Sequence, residues 1–392
     1  MTFSLLTSDS GLKSGLAALV LALSLTACKP QPAEAPAPAP AVAQTPAVAV
    51  EVEAEDPPLP TVAGLRTVAE RYVTERDPAD NVDSVAVWHA PGDAHWLLAT
   101  AKETDRLLVY DATTGKPLQK FGTSGSGPGQ FERPNGIYVI DDLALVVERD
   151  NRRVQVLRLP NFETLAIFGA DGETPLRKPY GLWVQPLGKG DYRVYVSDNY
   201  ETADEQIPPL AELNRRIHVY RLSVTAKAAE ARFEQAFGAT EGLGVLNIVE
   251  SIWGDAANGR LLIADEEEFQ QRNLKVYDLD GKFLDRRVGA GVFHFQPEGI
   301  SLYACADGSG WWFTTDQGKQ ENFFHLFERK SLEYRGSFSG KVVLNTDGIW
   351  LTQTPMPGYP HGAFYAVHDD GNVGVFDLGE ALDAVGAARC PE

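Results

Sequence analysis

A six-fold internal repeat is the strongest constraint on the fold of this 392-residue chain. Each copy is a short strand pattern in which apolar residues alternate and end in an aromatic residue or leucine before a charged residue. The copies span residues 107–111, 154–158, 217–221, 274–278, 324–328 and 373–377, at spacings of 47, 63, 57, 50 and 49 residues. Recurrence at this period is typical of the blades of a β-propeller, each of about four strands. No long stretch has a helical apolar period, so we predict an all-β fold, a six-bladed β-propeller.

Two further positions recur in every repeat and define two rings of side chains. The first ring, at the start of one strand, contains Asp83, Asn135, Tyr180, Glu250, Glu298 and Asp347. The second ring, at the end of the next strand, contains Lys102, Arg149, Asn199, Glu266, Gln317 and Asp370. A hairpin brings the end of one strand beside the start of its neighbour, so both rings are expected near one mouth of the central channel.

The chemistry of these rings predicts a cation site. Several converging carboxylates suit Ca²⁺, which takes six to eight oxygen ligands. Neither ring contains His or Cys, which disfavours zinc. Without a cation the carboxylates would repel and raise one another's pKa. The positive residues Lys102 and Arg149 lie on neighbouring blades, and cations opposite a metal suit a bound phosphate.

Composition narrows the possible partners. The chain has 35 Lys and Arg against 54 Asp and Glu, a formal charge of −19, which argues against a nucleic-acid partner. With 44% hydrophobic and 23% charged residues, it has the composition of a soluble globular protein.

Residues 1–28 predict a lipoprotein signal peptide. Lys13 precedes an apolar run over residues 16–27, which is too short to span a bilayer. The run ends in Leu25-Thr26-Ala27-Cys28, which resembles a bacterial lipobox and makes Cys28 the predicted lipidation site. A lipid anchor would attach the protein to a membrane of the bacterial cell envelope, at the outer membrane or in the periplasm. An ordinary signal peptide and a secreted protein are the alternative.

The rest of the chain divides into a linker and one domain. Residues 29–61 are rich in Ala and Pro, which predicts an extended linker, and residues 62–392 form the predicted propeller domain. Residues 62–75 could add a strand to the last blade. Cys305 and Cys390 could form a disulfide in an oxidising compartment or stay free.

Several short motifs are more specific together than any one of them alone. Those in the last third are Gln296-Pro297-Glu298-Gly299-Ile300, Ala306-Asp307-Gly308, Asp316-Gln317-Gly318, Phe327-Glu328-Arg329, Asn345-Thr346-Asp347-Gly348-Ile349 and Tyr359-Pro360-His361-Gly362. Near the front stands Asp83-Ser84-Val85-Ala86-Val87-Trp88. With these motifs the chain resembles the β-propeller phytases (3-phytases) over roughly residues 77–377. That family comprises calcium-dependent, six-bladed enzymes that release phosphate from myo-inositol hexakisphosphate (phytate).

The resemblance implies roles for individual residues. It implies metal ligation by Asp83, Glu250, Glu266, Glu298, Gln317 and Asp347. It implies phosphate contacts and catalytic roles for Lys102, Arg149 and Tyr180, with Glu266 at the metal and water site. The expected function is therefore that of a calcium-dependent phosphomonoesterase, acting on phytate or a related phosphate ester by metal-activated water. We expect a monomer with a phosphorylated small molecule as its partner.

Four positions depart from the phytase pattern, one of them a family Asp upstream of Asp347 that has no acidic counterpart near Gly340. Ser84 and Gln296 stand where that family has acids, and Asn199 stands where it has a lysine. Fewer carboxylates imply fewer or weaker calcium ions, and a simpler phosphate ester than phytate could be the substrate. A long insertion over residues 201–215 carries acids that could add ligands or form a solvated loop.

Other functions remain open on the sequence. Residues 125–131, 133–137 and 151–156 are similar to one NHL propeller repeat, and NHL propellers are often binding modules. The main alternative is therefore a non-catalytic, calcium-binding, NHL-like propeller lipoprotein used for binding or scaffolding. A calcium-dependent hydrolase of another substrate, such as a lactone, is the third hypothesis. The glycine-rich segment 125–129 is expected to be a turn rather than a phosphate cradle.

Overall fold

The computed structural model describes residues 62–267 and 272–391, and the architecture over these residues is a six-bladed β-propeller. The predicted fold class is confirmed. The predicted signal peptide, Cys28 and the linker 29–61 lie outside the described residues. Within the described ranges no helix is both long enough and apolar enough to cross a membrane.

Each blade is an antiparallel sheet whose strands follow chain order from the channel outwards. Blade 1 contains Val82–His89, His95–Ala101, Arg106–Asp111 and Pro117–Phe121. Blade 2 contains Pro134–Ile140, Leu143–Glu148, Arg153–Arg158 and Glu163–Phe168. Blade 3 contains Pro179–Gly188, Asp191–Asp198, Ile217–Val224 and Ala229–Phe237. Blade 4 contains Ile252–Asp255, Arg260–Asp265, Asn273–Asp278 and Phe283–Val288. Blade 5 contains Gln296–Ala304, Gly310–Gln317, Phe323–Glu328 and Tyr334–Ser339. Blade 6 contains Ile349–Thr352, Ala363–His368 and Asn372–Asp377.

The segment before blade 1 closes the ring. Tyr72–Val73 pairs antiparallel with Asn372–Asp377 and becomes the outer strand of blade 6. Arg66–Thr67 pairs parallel with Tyr334–Ser339 and adds a fifth strand to blade 5. Residues 62–75 therefore complete the last blade and also join it to its neighbour.

The helices within residues 62–267 and 272–391 are short. They are the 3₁₀ turns Leu210–Glu212, Gly242–Gly244 and Ala256–Asn258, and the α-helix Leu378–Ala384. The α-helix begins where the Asp377 carboxylate accepts a hydrogen bond from the backbone N–H of Glu380, a favourable N-cap. Cys305 and Cys390 form a disulfide that ties the C-terminal tail to blade 5, so the sequence alternative of free thiols does not hold.

Aromatic side chains fill the channel beneath the first ring. The first strands of adjacent blades contact one another all the way around the channel. Three residues beyond a ring position, blades 2, 4 and 6 each carry a large aromatic residue, namely Tyr138, Trp253 and Trp350. Their ring centroids lie 5.1–5.3 Å apart, which forms a packed plug. The side chains of the two rings therefore stand above an apolar floor.

Candidate metal and anion site

A β-bulge in the first strand of the blades positions the first ring. In blade 2, Pro134 pairs with Glu148 and Ile137 pairs with Val146, so the inner strand has one extra residue. The same shift occurs in blades 1, 3 and 5. The bulge holds the ring residue and the residue after it, and bulges re-aim side chains in this way. Asp83, Asn135, Tyr180 and Glu298 are therefore structurally equivalent.

The residue after each ring position is small because it lies against the backbone of the next blade. A Cβ on Gly181 would lie 2.3 Å from the carbonyl oxygen of Glu250, and one on Gly348 would lie 2.6 Å from that of Asp83. The N–H of Gly348 donates to the Asp83 carbonyl over 3.0 Å. These contacts fix the spacing of the ring through the main chain.

Ser84 occupies this small-residue position in blade 1. Its hydroxyl donates to the carboxylate of Asp83 over 3.1 Å, and its backbone N–H donates to Thr100 Oγ1 over 3.0 Å. The residue that departs from the phytase pattern therefore supports Asp83.

Three carboxylates from blades 4 and 5 converge. One oxygen from each of Glu250, Glu266 and Glu298 lies within 4.8 Å of the other two. Glu266 and Glu298 are only 5% and 4% exposed. This is the acidic group with metal-ligand spacing found within residues 62–267 and 272–391. The sequence predicted all three as metal ligands.

Burial and mutual repulsion perturb these acids. Burial and the Asp83 charge raise the pKa of Glu250 to about 7. Burial and the charge of Glu250 raise the pKa of both Glu266 and Glu298 well above the ordinary value. Asp347 also has a strongly raised pKa, through burial and Asp83. A divalent cation would relieve this repulsion and favour the ionised forms.

Lys102 and Tyr180 share the Asp83 carboxylate. Lys102 Nζ lies 2.8 Å from Asp83 Oδ1 and 3.8 Å from Asp370 Oδ1. Burial alone would lower the pKa of Lys102, but Asp83, Asp347 and Asp370 outweigh it and raise that pKa. Tyr180 OH donates to Asp83 Oδ1 over 3.3 Å, and burial keeps the phenol neutral by raising its pKa. Both side chains are thus hydrogen-bond donors at neutral pH.

Two amide side chains support the acids. Gln317 Nε2 donates to Asp347 Oδ1 over 2.6 Å. Asn199 accepts from the backbone N–H of Val249 over 3.2 Å, and its Nδ2 lies 3.4 Å from Glu250 Oε1. Gln317, a predicted ligand, therefore donates to another predicted ligand here.

Several buried polar atoms of the rings lack hydrogen-bond partners among the described residues. They are Glu266 Oε1, Asp347 Oδ2 and both carboxamide atoms of Asn135. Buried polar groups are normally paired, so their grouping at one mouth marks a ligand-binding position. The atoms that could bind a metal here are carboxylate and amide oxygens, which are the ligands that hard cations prefer. The residues present therefore fit Ca²⁺.

Arg149 lies on a neighbouring surface. Its Nε donates to Asp150 over 2.7 Å, and its side chain lines a cavity of about 780 Å³. The cavity is also lined by Arg152, Arg177 and Lys178, which the sequence did not single out. They sit on loops, where no strand alternation shows which side chains share a surface. Lys102 and Arg149 are both expected to contact one phosphate, but Lys102 pairs with Asp83 whereas Arg149 pairs with Asp150.

The acid that precedes the second ring is structural. Asp265 accepts from the backbone N–H groups of Asn247 and Ile248 and lies 2.8 Å from Lys275 Nζ. Asp265 therefore holds the preceding loop and is not part of the group formed by Glu250, Glu266 and Glu298. Backbone N–H groups of the preceding loop also donate to the equivalent acids Asp198 and Asp316.

The insertion over residues 201–215 contributes to the cavity wall. Glu201 lies 2.5 Å from Lys178 Nζ, and Thr202 and Glu205 also line the cavity. None of its acids belongs to the Glu250, Glu266 and Glu298 group among the residues that the structure describes.

The glycine-rich segment is a turn held by side chains from blade 2. The Arg153 guanidinium donates to the carbonyls of Gly127 and Gln130 over 3.2 and 3.0 Å. Asn151 donates to the carbonyl of Gly125 over 2.9 Å. The carbonyl groups of this loop therefore accept hydrogen bonds from the protein's own side chains, as expected for a structural turn.

No protein-family model matches the chain, and a search of curated proteins finds no match. The phytase resemblance therefore stays a prediction that depends on the motifs and on the site.

Proposed function

We propose that this protein is a calcium-dependent phosphomonoesterase of β-propeller phytase type, acting on phytate or a related phosphate ester. The observation that carries the proposal is the convergence of Glu250, Glu266 and Glu298 within 4.8 Å. Beside them, the Asp83 carboxylate is shared with Lys102 and Tyr180. Carboxylates next to fixed donors are complementary to a cation and a phosphate together.

The buried acids would hold the cation. Glu250, Glu266 and Glu298 supply the nearest oxygens, and Asp83 and Asp347 supply further negative charge. Ca²⁺ bound there would neutralise phosphoryl oxygens and lower the pKa of a coordinated water. Glu266 belongs to the carboxylate group and has a buried oxygen without a hydrogen-bond partner among the described residues, so it would orient the attacking water.

The donors would hold the anion. Lys102 stays protonated and Tyr180 stays a phenol, so both can donate to phosphoryl oxygens as charge develops. Arg149, on the wall of the adjacent cavity, would contact the rest of the substrate. In the hydrolysis the water oxygen bonds to phosphorus, the ester P–O bond breaks, and the leaving alkoxide takes up a proton. No covalent bond to the protein is required.

We also propose that the protein lies in the bacterial cell envelope. A lipid on Cys28 would anchor it there, and the linker 29–61 would separate the propeller from the membrane. The Cys305–Cys390 disulfide supports this location, because disulfides persist in oxidising compartments. We propose a monomer.

A specific observation favours a second candidate function. Lys102 pairs with Asp83 and Arg149 pairs with Asp150, so in this structure each cation is held by an acid of the protein itself. A non-catalytic propeller that binds calcium for scaffolding would not need two cations that are free to bind one phosphate.

Phosphate release separates the two candidates. The full-length protein would be assayed with phytate and with glycerol phosphate while calcium is titrated against a chelator. Glu298→Gln removes one buried ligand, and Glu163→Gln, on the exposed outer strand of blade 2, is the matched control. We expect calcium-dependent release that falls about 100-fold in Glu298→Gln and not in Glu163→Gln. Calcium-dependent stabilisation without release from either ester would favour the scaffold.

A further inference from the structure

Asn135 is a ring residue that the proposed function does not use. It is 0% exposed, and neither its Nδ2 nor its Oδ1 has a hydrogen-bond partner among the described residues. A buried carboxamide with both ends unsatisfied destabilises a folded protein. Its presence at a binding mouth therefore points to a ligand that satisfies it.

The backbone of Asn135 is fixed on both sides. Its carbonyl accepts from Thr100 Oγ1 of blade 1 over 2.6 Å. The next residue, Gly136, approaches blade 3 so closely that a Cβ would lie 2.5 Å from the Tyr180 carbonyl. The bulge register makes Asn135 equivalent to Asp83 and Tyr180, whose side chains bond to one another at the mouth. Asn135 thus stands between two residues of the site without joining their network.

The two ends of a carboxamide require partners of opposite character. The NH₂ group needs an acceptor, and the oxygen needs a donor or a cation. A phosphate oxygen next to a divalent cation supplies both at once. A carboxylate at this position would repel the phosphate, whereas a neutral amide does not.

We propose that Asn135 is a substrate-orienting residue, whose Nδ2 donates to an oxygen of the bound phosphate while its Oδ1 faces the cation. This inference rests on the proposed function. It adds a contact from blade 2 to the donors from blades 1 and 3, so that the phosphate is held from three sides.

Isothermal titration of the full-length protein with inorganic phosphate, at saturating calcium, tests this contact. Asn135→Asp keeps the size and the oxygen, removes the donor and adds a negative charge, whereas Asn135→Leu removes both polar ends without adding charge. Asn372→Leu is the control, because Asn372 is a buried amide of blade 6 whose Nδ2 bonds to the Thr74 carbonyl over 2.9 Å, although its Oδ1 also lacks a partner among the described residues. Calcium titrations and thermal unfolding without ligands would accompany each variant.

We expect phosphate affinity to fall at least about tenfold in both Asn135 variants, as for the loss of a hydrogen bond to a charged group. Asn135→Asp should still bind calcium, and Asn135→Leu should unfold at a higher temperature than the wild type without ligands. Asn372→Leu should lose stability and keep its phosphate affinity. In an activity assay, KM should rise in Asn135→Asp.

The outcomes separate this inference from the proposed function. Wild-type phosphate affinity in both Asn135 variants, with calcium bound, would overturn the inference and leave the proposed function standing. If the wild type binds neither calcium nor phosphate, the proposed function fails and the inference fails with it.

Discussion

Without calcium, the protein should lose stability as the pH rises from 5 to 8. The pKa of Glu250 is about 7 in the folded protein, against about 4.5 for an ordinary glutamate. Between these values the folded state holds a proton that the unfolded state has released. Stability from this proton is therefore complete below about pH 4.5 and is lost as the pH rises through 7.

The size of this effect follows from the shift. A rise of about 2.5 in the pKa corresponds to roughly 3–4 kcal/mol of unfolding free energy, at about 1.4 kcal/mol per pKa unit. The pKa values of Glu266, Glu298 and Asp347 are raised in the same direction, so these acids act on stability in the same sense. For a domain of about 330 residues, this free energy corresponds to a fall of roughly 4–6 °C in Tm.

Urea unfolding at pH 5, 6, 7 and 8, with chelator or with calcium, measures how the unfolding free energy changes with pH. Calcium should reduce this pH dependence, because a bound cation favours the ionised acids. In chelator, Glu250→Gln should reduce the loss of unfolding free energy between pH 5 and pH 8 by roughly 2–3 kcal/mol, because part of the full effect is already lost at pH 5, whereas Glu163→Gln should leave that loss unchanged. Stability that does not depend on pH in chelator, or that falls equally with and without calcium, would refute this reasoning.

Three further predictions concern the frame of the site and its cations. Cys390→Ser should lower the unfolding free energy by about 2–4 kcal/mol, measured in guanidinium chloride, with calcium affinity unchanged, because the disulfide closes a long loop. Gly181→Ala should weaken calcium binding in a titration by displacing Glu250, whereas Gly188→Ala, with no atom near the new Cβ, should not. Lys102→Met should reduce kcat about 100-fold, whereas Arg149→Met should mainly raise KM; full activity in both would contradict the phosphate contacts.

The fold could be predicted because each blade repeats the same alternation of apolar residues. The ring positions could be predicted because a small residue follows them, such as Gly136, Gly181 or Gly348. That residue is needed where the strand passes the backbone of the next blade. The pattern therefore reports a physical constraint that every blade shares.

The sequence of one blade does not show which of two adjacent acids is structural and which belongs to the carboxylate group. Asp265 and Glu266 are both buried and both acidic, yet only Glu266 belongs to the carboxylate group. A repeated signal existed, since Lys275, His218 and His325 occupy one position of the repeat and lie against the structural acids. The cavity beside Arg149 had no such signal.

Calcium titration of Glu266→Gln and Asp265→Asn tests the central claim most directly, because the two residues are neighbours with opposite predicted roles. We predict that Glu266→Gln loses calcium affinity while its calcium-free stability is equal to or above that of the wild type. Asp265→Asn should lose stability, because it weakens a buried pair with Lys275, and should keep its calcium affinity. Wild-type calcium affinity in Glu266→Gln, or no calcium binding by the wild type, would contradict the account.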